Sequence, residues 1–104
     1  MRVILDENVP RAVMRWLVNH QVETAQGAGF RGLDNGRLLA ALEGNYDLLI
    51  TADKNLRYQR NLAGRKLGIV ELPTNRLPAL RKIRARIVAA VNRCGASDYV
   101  QVDL

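Results

Sequence analysis

Cysteine is almost missing from this chain. Cys94 stands alone, so no internal disulfide is available and the single thiol fits a reducing compartment. It has no Cys or His at ligand spacing, which excludes a zinc site built around it. Histidine is equally scarce. His20 has no triad partners in view, and its place after an apolar stretch reads as a helix end. No run approaches about 18 apolar residues, so no membrane span is expected. Asp6 and Glu7 interrupt the N-terminus before an apolar run develops, so no signal peptide is expected either. Acids are in deficit, 10 against 16 Lys and Arg, giving a net charge of +6. A surplus of that size favours polyanionic partners, either nucleic acid or an acidic protein. The expected compartment is the cytoplasm.

What is present is an ordinary globular balance, 48% hydrophobic and 25% charged, over 104 residues. That is enough for one core and one domain, residues 1–104. There are no repeats, linkers or low-complexity tracts. Element types alternate instead. Arg2 to Leu5 (RVIL) reads as a strand. Pro10 opens a helix carried by Val13, Trp16 and Leu17 up to Asn19. Gln21 to Ala25 reads as a second strand. The stretch QGAGFRGLDNG is a glycine-rich loop without the order of a phosphate-binding loop. Asp34 or Asn35 caps a helix carried by Leu38, Leu39 and Leu42 and stopped by Gly44. Asp47 to Thr51 (DLLIT) is the third strand and Leu67 to Leu72 (LGIVEL) the fourth. Pro78 opens a last helix with Leu80, Ile83, Ile87 and Val91 as its apolar stripe. Tyr99 to Val102 is a fifth, edge strand. This order predicts an α/β fold with a mainly parallel sheet of four to five strands, right-handed crossovers and helices on both faces.

Ligand sites in such sheets lie beyond the carboxyl ends of the strands. Two strands end alike: VIL runs into Asp6-Glu7-Asn8, and LLIT into Ala52-Asp53-Lys54-Asn55. If both strands are central, Asp6 and Asp53 share one sheet edge. Two carboxylates that close repel unless a cation lies between them. Mg²⁺ or Mn²⁺ accepts one or two carboxylates with amide and water oxygens. Taken singly, each acid is explained by turn formation or capping. Glu7 reads as a solvent-facing residue in a first helical turn.

ILDENVPR with LLITADKNLRYQRNLAG resembles the PIN-like domains, in particular a small bacterial toxin–antitoxin branch with LDEN-P and T-AD signatures. The resemblance covers nearly the whole chain, including GIVELP and the closing helix. It implies a three-layer α/β/α sandwich and a ribonuclease that holds Mg²⁺ or Mn²⁺ on a cluster of acids. By position, Asp6 and Asp53 are the catalytic, metal-binding acids. Relatives carry a further acid in a pattern like G-L-x-(D/N)-x-E-L-L. Here the segment is GLDNGRLL, with Arg37 in that place and Asp34 as the nearest substitute. Asn55 stands where many relatives have another acid. The implied ligand set is therefore Asp6, Asp53, Asn55 and Asp34, with weak metal binding. The alternative implied is a degenerate module that binds RNA or protein without cutting. An acidic antitoxin is an expected partner, and a homodimer is left open.

Lys54, Arg57 and Arg60 follow Asp53 and would hold a phosphodiester near the metal, with Arg37 as a fixed charge beside it. Tyr58 would stack a base. Arg81, Lys82, Arg84, Arg86 and Arg93 lie on the last helix facing solvent. A phosphoacceptor domain of response-regulator type would need a lysine at a later strand end, and IVELP supplies none.

Overall fold

The computed structural model describes residues 1–58 and 65–104. Five strands form one sheet in the order β2-β1-β3-β4-β5. They are β1 (Arg2–Leu5), β2 (Gln21–Thr24), β3 (Leu48–Thr51), β4 (Gly68–Glu71) and β5 (Tyr99–Gln101). Every neighbouring pair is parallel. β1 and β3, nearly 45 residues apart in the chain, pair directly, with Val3 opposite Leu48 and Leu5 opposite Ile50. β3 and β4 are buried along their whole length, as strands covered on both faces must be.

Alternation along the strands splits the core into two. Val3, Leu5, Leu48, Ile50 and Val70 point to one face. There they meet Val13 and Trp16 of a 3-10 helix, η1 (Arg11–Trp16), and the stripe from the two helices before β5. Ile4, Leu49 and Ile69 point to the other face. They meet Leu38, Leu39 and Leu42 of α1 (Asn35–Leu42) and Leu56 of a second 3-10 helix, η2 (Lys54–Tyr58). The architecture is a three-layer α/β/α sandwich.

Three local features differ from the sequence reading. The segment after Pro10 forms a 3-10 helix, not an α-helix. Its turns close through Val13 N–H to Pro10 O and Leu17 N–H to Met14 O, and Val13 and Trp16 share a face at the three-residue repeat. The last helix is two, α2 (Leu77–Lys82) and α3 (Arg84–Arg93), broken at Ile83 with φ −111°. The stripe survives the break, and Leu80, Ile83, Ile87 and Val91 are all buried. The third difference is handedness. β2 to β3 and β4 to β5 step the same way along the sheet but cross opposite faces. The two crossovers therefore have opposite hand, against the expectation of right-handed crossovers throughout. The two-helix connection before β5 brings α2 and α3 onto the layer of η1. Gly44, at φ +83°, ends α1 where the sequence placed the stop. No helix among the described residues is long and apolar enough to cross a membrane.

Candidate functional site

The chain leaves β1 for β2 on one side and returns to β3 on the other. The crevice between the ends of β1 and β3 is thus the topological switch point of the sheet, where ligands bind in open α/β folds. Asp6 sits there. Its N–H extends the β1–β3 ladder by donating to Ile50 O at 2.8 Å. The residue is 7% exposed. Oδ1 accepts the Glu7 N–H at 2.9 Å, and Oδ2 accepts the Thr51 hydroxyl at 2.8 Å. Thr51, fully buried at the end of β3, also accepts the Asp53 N–H on its Oγ1 at 3.0 Å. The side chain of Asn8 accepts the Ala52 N–H at 3.1 Å. Two side-chain bonds therefore stitch the loop after β1 to the last residue of β3 and to the first residue beyond it.

Asp53 does two jobs. Its Oδ1 accepts the Asn55 N–H at 2.9 Å, which opens η2, so the capping role is real. Its Oδ2 accepts the amide of Asn35, the first residue of α1, at 3.0 Å. Neither Asp6 nor Asp53 forms an ion pair with a cation among the described residues. Burial pushes the Asp6 carboxyl above its ordinary value. The charges of Glu7 and Asp53 add to that rise, and the bonds from Thr51 and Glu7 oppose it. Despite its burial, Asp6 lines a cleft of about 340 Å³ with Glu7, Thr24 and Arg11.

The other expected residues are placed as follows. Asp34 is the N-cap of α1, accepting the Arg37 N–H at 2.9 Å, and is exposed. Arg37 is exposed and lies 3.8 Å from the Asp34 carboxylate. Asn35, not Arg37, is the α1 residue that reaches Asp53. Asn55 contributes its N–H, and its side chain is open to solvent. Lys54 and Tyr58 are exposed on η2. Arg60 lies outside the described residues. Glu7 is exposed, as expected, but it lies in the turn before η1 and not in a first helical turn, with a 3.4 Å contact from the Gly32 N–H.

Arg57 is committed elsewhere. Its guanidinium grips both carboxylate oxygens of Glu71, which is 3% exposed and also accepts the Tyr99 hydroxyl at 2.7 Å. Burial and the Glu71 charge hold the Tyr99 phenol neutral, as the donor. Glu71 stands opposite Thr51 in the β3–β4 register, one strand away from the acids. The sequence does carry a signal for it. The apolar-run-then-acid pattern that marked Asp6 marks GIVE as well. A buried charge stripped of its partner is costly, whereas neutralising both is cheap. Arg57→Met is therefore expected to lower Tm clearly in thermal unfolding. Adding Glu71→Gln, which keeps an acceptor for Tyr99, should recover most of the loss.

The oxygen ligands at the two strand ends are the Asp6 and Asp53 carboxylates, to which the Thr51 hydroxyl and the Asn35 amide nitrogen donate. That set suits Mg²⁺ or Mn²⁺, which take one or two protein carboxylates and complete their shell with water and substrate phosphate. Among the described residues no three acids, histidines or cysteines come together as a cage. Compared with protein-family models, with curated proteins and with solved structures, the chain matches none.

Proposed function

We propose that the chain is a PIN-like ribonuclease that works with Mg²⁺ or Mn²⁺ between Asp6 and Asp53. One observation carries this reading: the fold brings two carboxylates without cation partners to the switch point and buries one of them. A divalent ion there supplies Lewis-acid activation of water and charge stabilisation at the leaving oxygen. The chain's own groups orient the acids. Thr51 fixes Asp6, while Asn35 and the Asn55 N–H fix Asp53. Lys54 and Arg11, both exposed, supply positive charge for a phosphodiester, and Tyr58 offers an exposed ring for a base. The setting this reading takes is cytoplasmic, in a toxin–antitoxin pair with an acidic partner protein.

A second reading is favoured by Asn35. An amide occupies the place beside Asp53 where a third carboxylate would complete the cluster. On that reading the same fold binds RNA or protein and does not cut. Cleavage of a labelled single-stranded RNA in Mn²⁺ separates the two. The nuclease reading expects slow cleavage that Asp53→Asn abolishes. Residual cleavage equal in wild type and Asp53→Asn, or none in either with RNA binding intact, supports the binding module.

A further inference from the structure

Charge is unevenly spread over this molecule. Segments 8–22 and 72–97, which supply η1, α2 and α3, hold eight of the sixteen Lys and Arg and none of the ten acids. The remaining residues hold eight cations and ten acids, so the whole surplus arises from these two segments. Their helices pack on the same face of the sheet. All eight cations are exposed, and none pairs with a carboxylate among the described residues. Arg84 lies over the Trp16 ring at 5.8 Å, which ties the start of α3 to η1. Acids adjoin this layer at its edges, where Asp103 shares a cleft with Arg86 and Arg93, and Asp6 and Glu7 share one with Arg11. The unusual crossover before β5 is what unites these segments.

We propose that the η1–α2–α3 face binds the phosphate backbone of single-stranded RNA and leads it to the acidic cleft. Seven of the eight cations are arginines, whose forked donors match phosphate oxygens. A second copy of this chain is a poor occupant, because it would set eight cations against eight. A protein interface usually has an apolar centre, yet Val18 is the one large hydrophobic this layer exposes, at the end of η1. Arg11 makes the path continuous, since it belongs to this face and also lines the cleft over Asp6. That the polyanion is RNA rests on the functional reading above. The charge of the face does not depend on it.

The test is fluorescence anisotropy of a labelled 20-nucleotide RNA over a range of KCl without divalent ions. Arg81→Gln/Lys82→Gln/Arg93→Gln is expected to weaken binding about tenfold or more at low salt. It should also flatten the slope of log affinity against log salt by about 2, at roughly 0.7 per phosphate lost. The charge-matched control Arg2→Gln/Arg31→Gln/Lys66→Gln, off this face, should do much less. Should the first variant unfold, Arg15→Gln/Arg76→Gln gives an independent reading with the same expected direction. Equal losses in face and control variants would overturn the proposal. So would displacement of the RNA by polyglutamate as effectively as by unlabelled RNA, which would point to an acidic protein. Loss of RNA binding in the face variant, with no cleavage by any protein, leaves this inference standing and removes the nuclease. Brisk wild-type cleavage that the face variant keeps, with unchanged affinity, does the reverse.

Discussion

Replacing Asn35 by aspartate is expected to turn a lightly held divalent-ion site into a firm one. The Asn35 amide donates to Asp53 Oδ2 at 3.0 Å, so a carboxylate there would face Asp53 directly. Ion affinity rises with the number of charged ligands. Mn²⁺ should bind about tenfold tighter or better, and cleavage of RNA should quicken with it. Without divalent ions the two carboxylates repel, and the bond from the amide is gone. The variant should therefore melt below wild type in chelator and regain the difference when Mn²⁺ is added. Arg37→Glu is the matched control. Arg37 is exposed beside Asp34, so a charge change there is largely screened and should move Mn²⁺ affinity less than about twofold. If Arg37→Glu produces the larger gain, α1 presents a different residue to the acids than the one described.

Asp6→Asn should have the largest effect on cleavage, a loss on the order of a thousandfold. It should also stabilise the metal-free protein at neutral pH. The Asp6 carboxyl is raised above its ordinary value of 3.8, first by burial. In the unfolded chain it ionises at that ordinary value. Between the two pKa values the native state holds a proton that the unfolded state has already lost. Stability from this group is thus fully present below the ordinary value and is lost as pH rises through the raised one. The amide cannot ionise, and the Thr51 hydroxyl can turn to accept from it. Thermal unfolding in chelator should therefore place the variant above wild type at pH 7. The gap should close as pH falls below about 3.8. Each kcal/mol would read as about 4–8 °C in a domain of this size. A gap of the same size at both ends of the range would show that ionisation of Asp6 is not its source.

Asp6 and Asp53 were legible in the sequence because a rule of topology picks them out. Apolar runs announce β1 and β3, and acids directly after parallel strands fall on one edge. The chain cannot announce which strands are neighbours, and that decides the rest. Thr51 reads as the polar end of a strand until β1 is known to lie beside it. Only then does its hydroxyl meet Asp6, 45 residues earlier. Asn35 and Asp34 look equally fit to cap α1. The turn geometry gives the cap to Asp34 and leaves Asn35 aimed at Asp53. Arg57 reads as one more cation on a polar helix. Its partner lies on a buried strand, and only the packing of η2 against that strand shows the pair. The charge asymmetry was visible in the segments themselves. Its meaning waited on the crossover that puts α2 and α3 over the same face as η1.

On the proposed reading, Asp6 and Asp53 hold one divalent ion between the ends of β1 and β3. Isothermal titration of Mn²⁺ into the wild type, Asp6→Asn and Asp53→Asn tests it most directly. The expected result is weak one-site binding by the wild type and none by either variant, with both variants folded. Equal binding by all three proteins would contradict the claim and reduce the two aspartates to a strand-end turn and a helix cap.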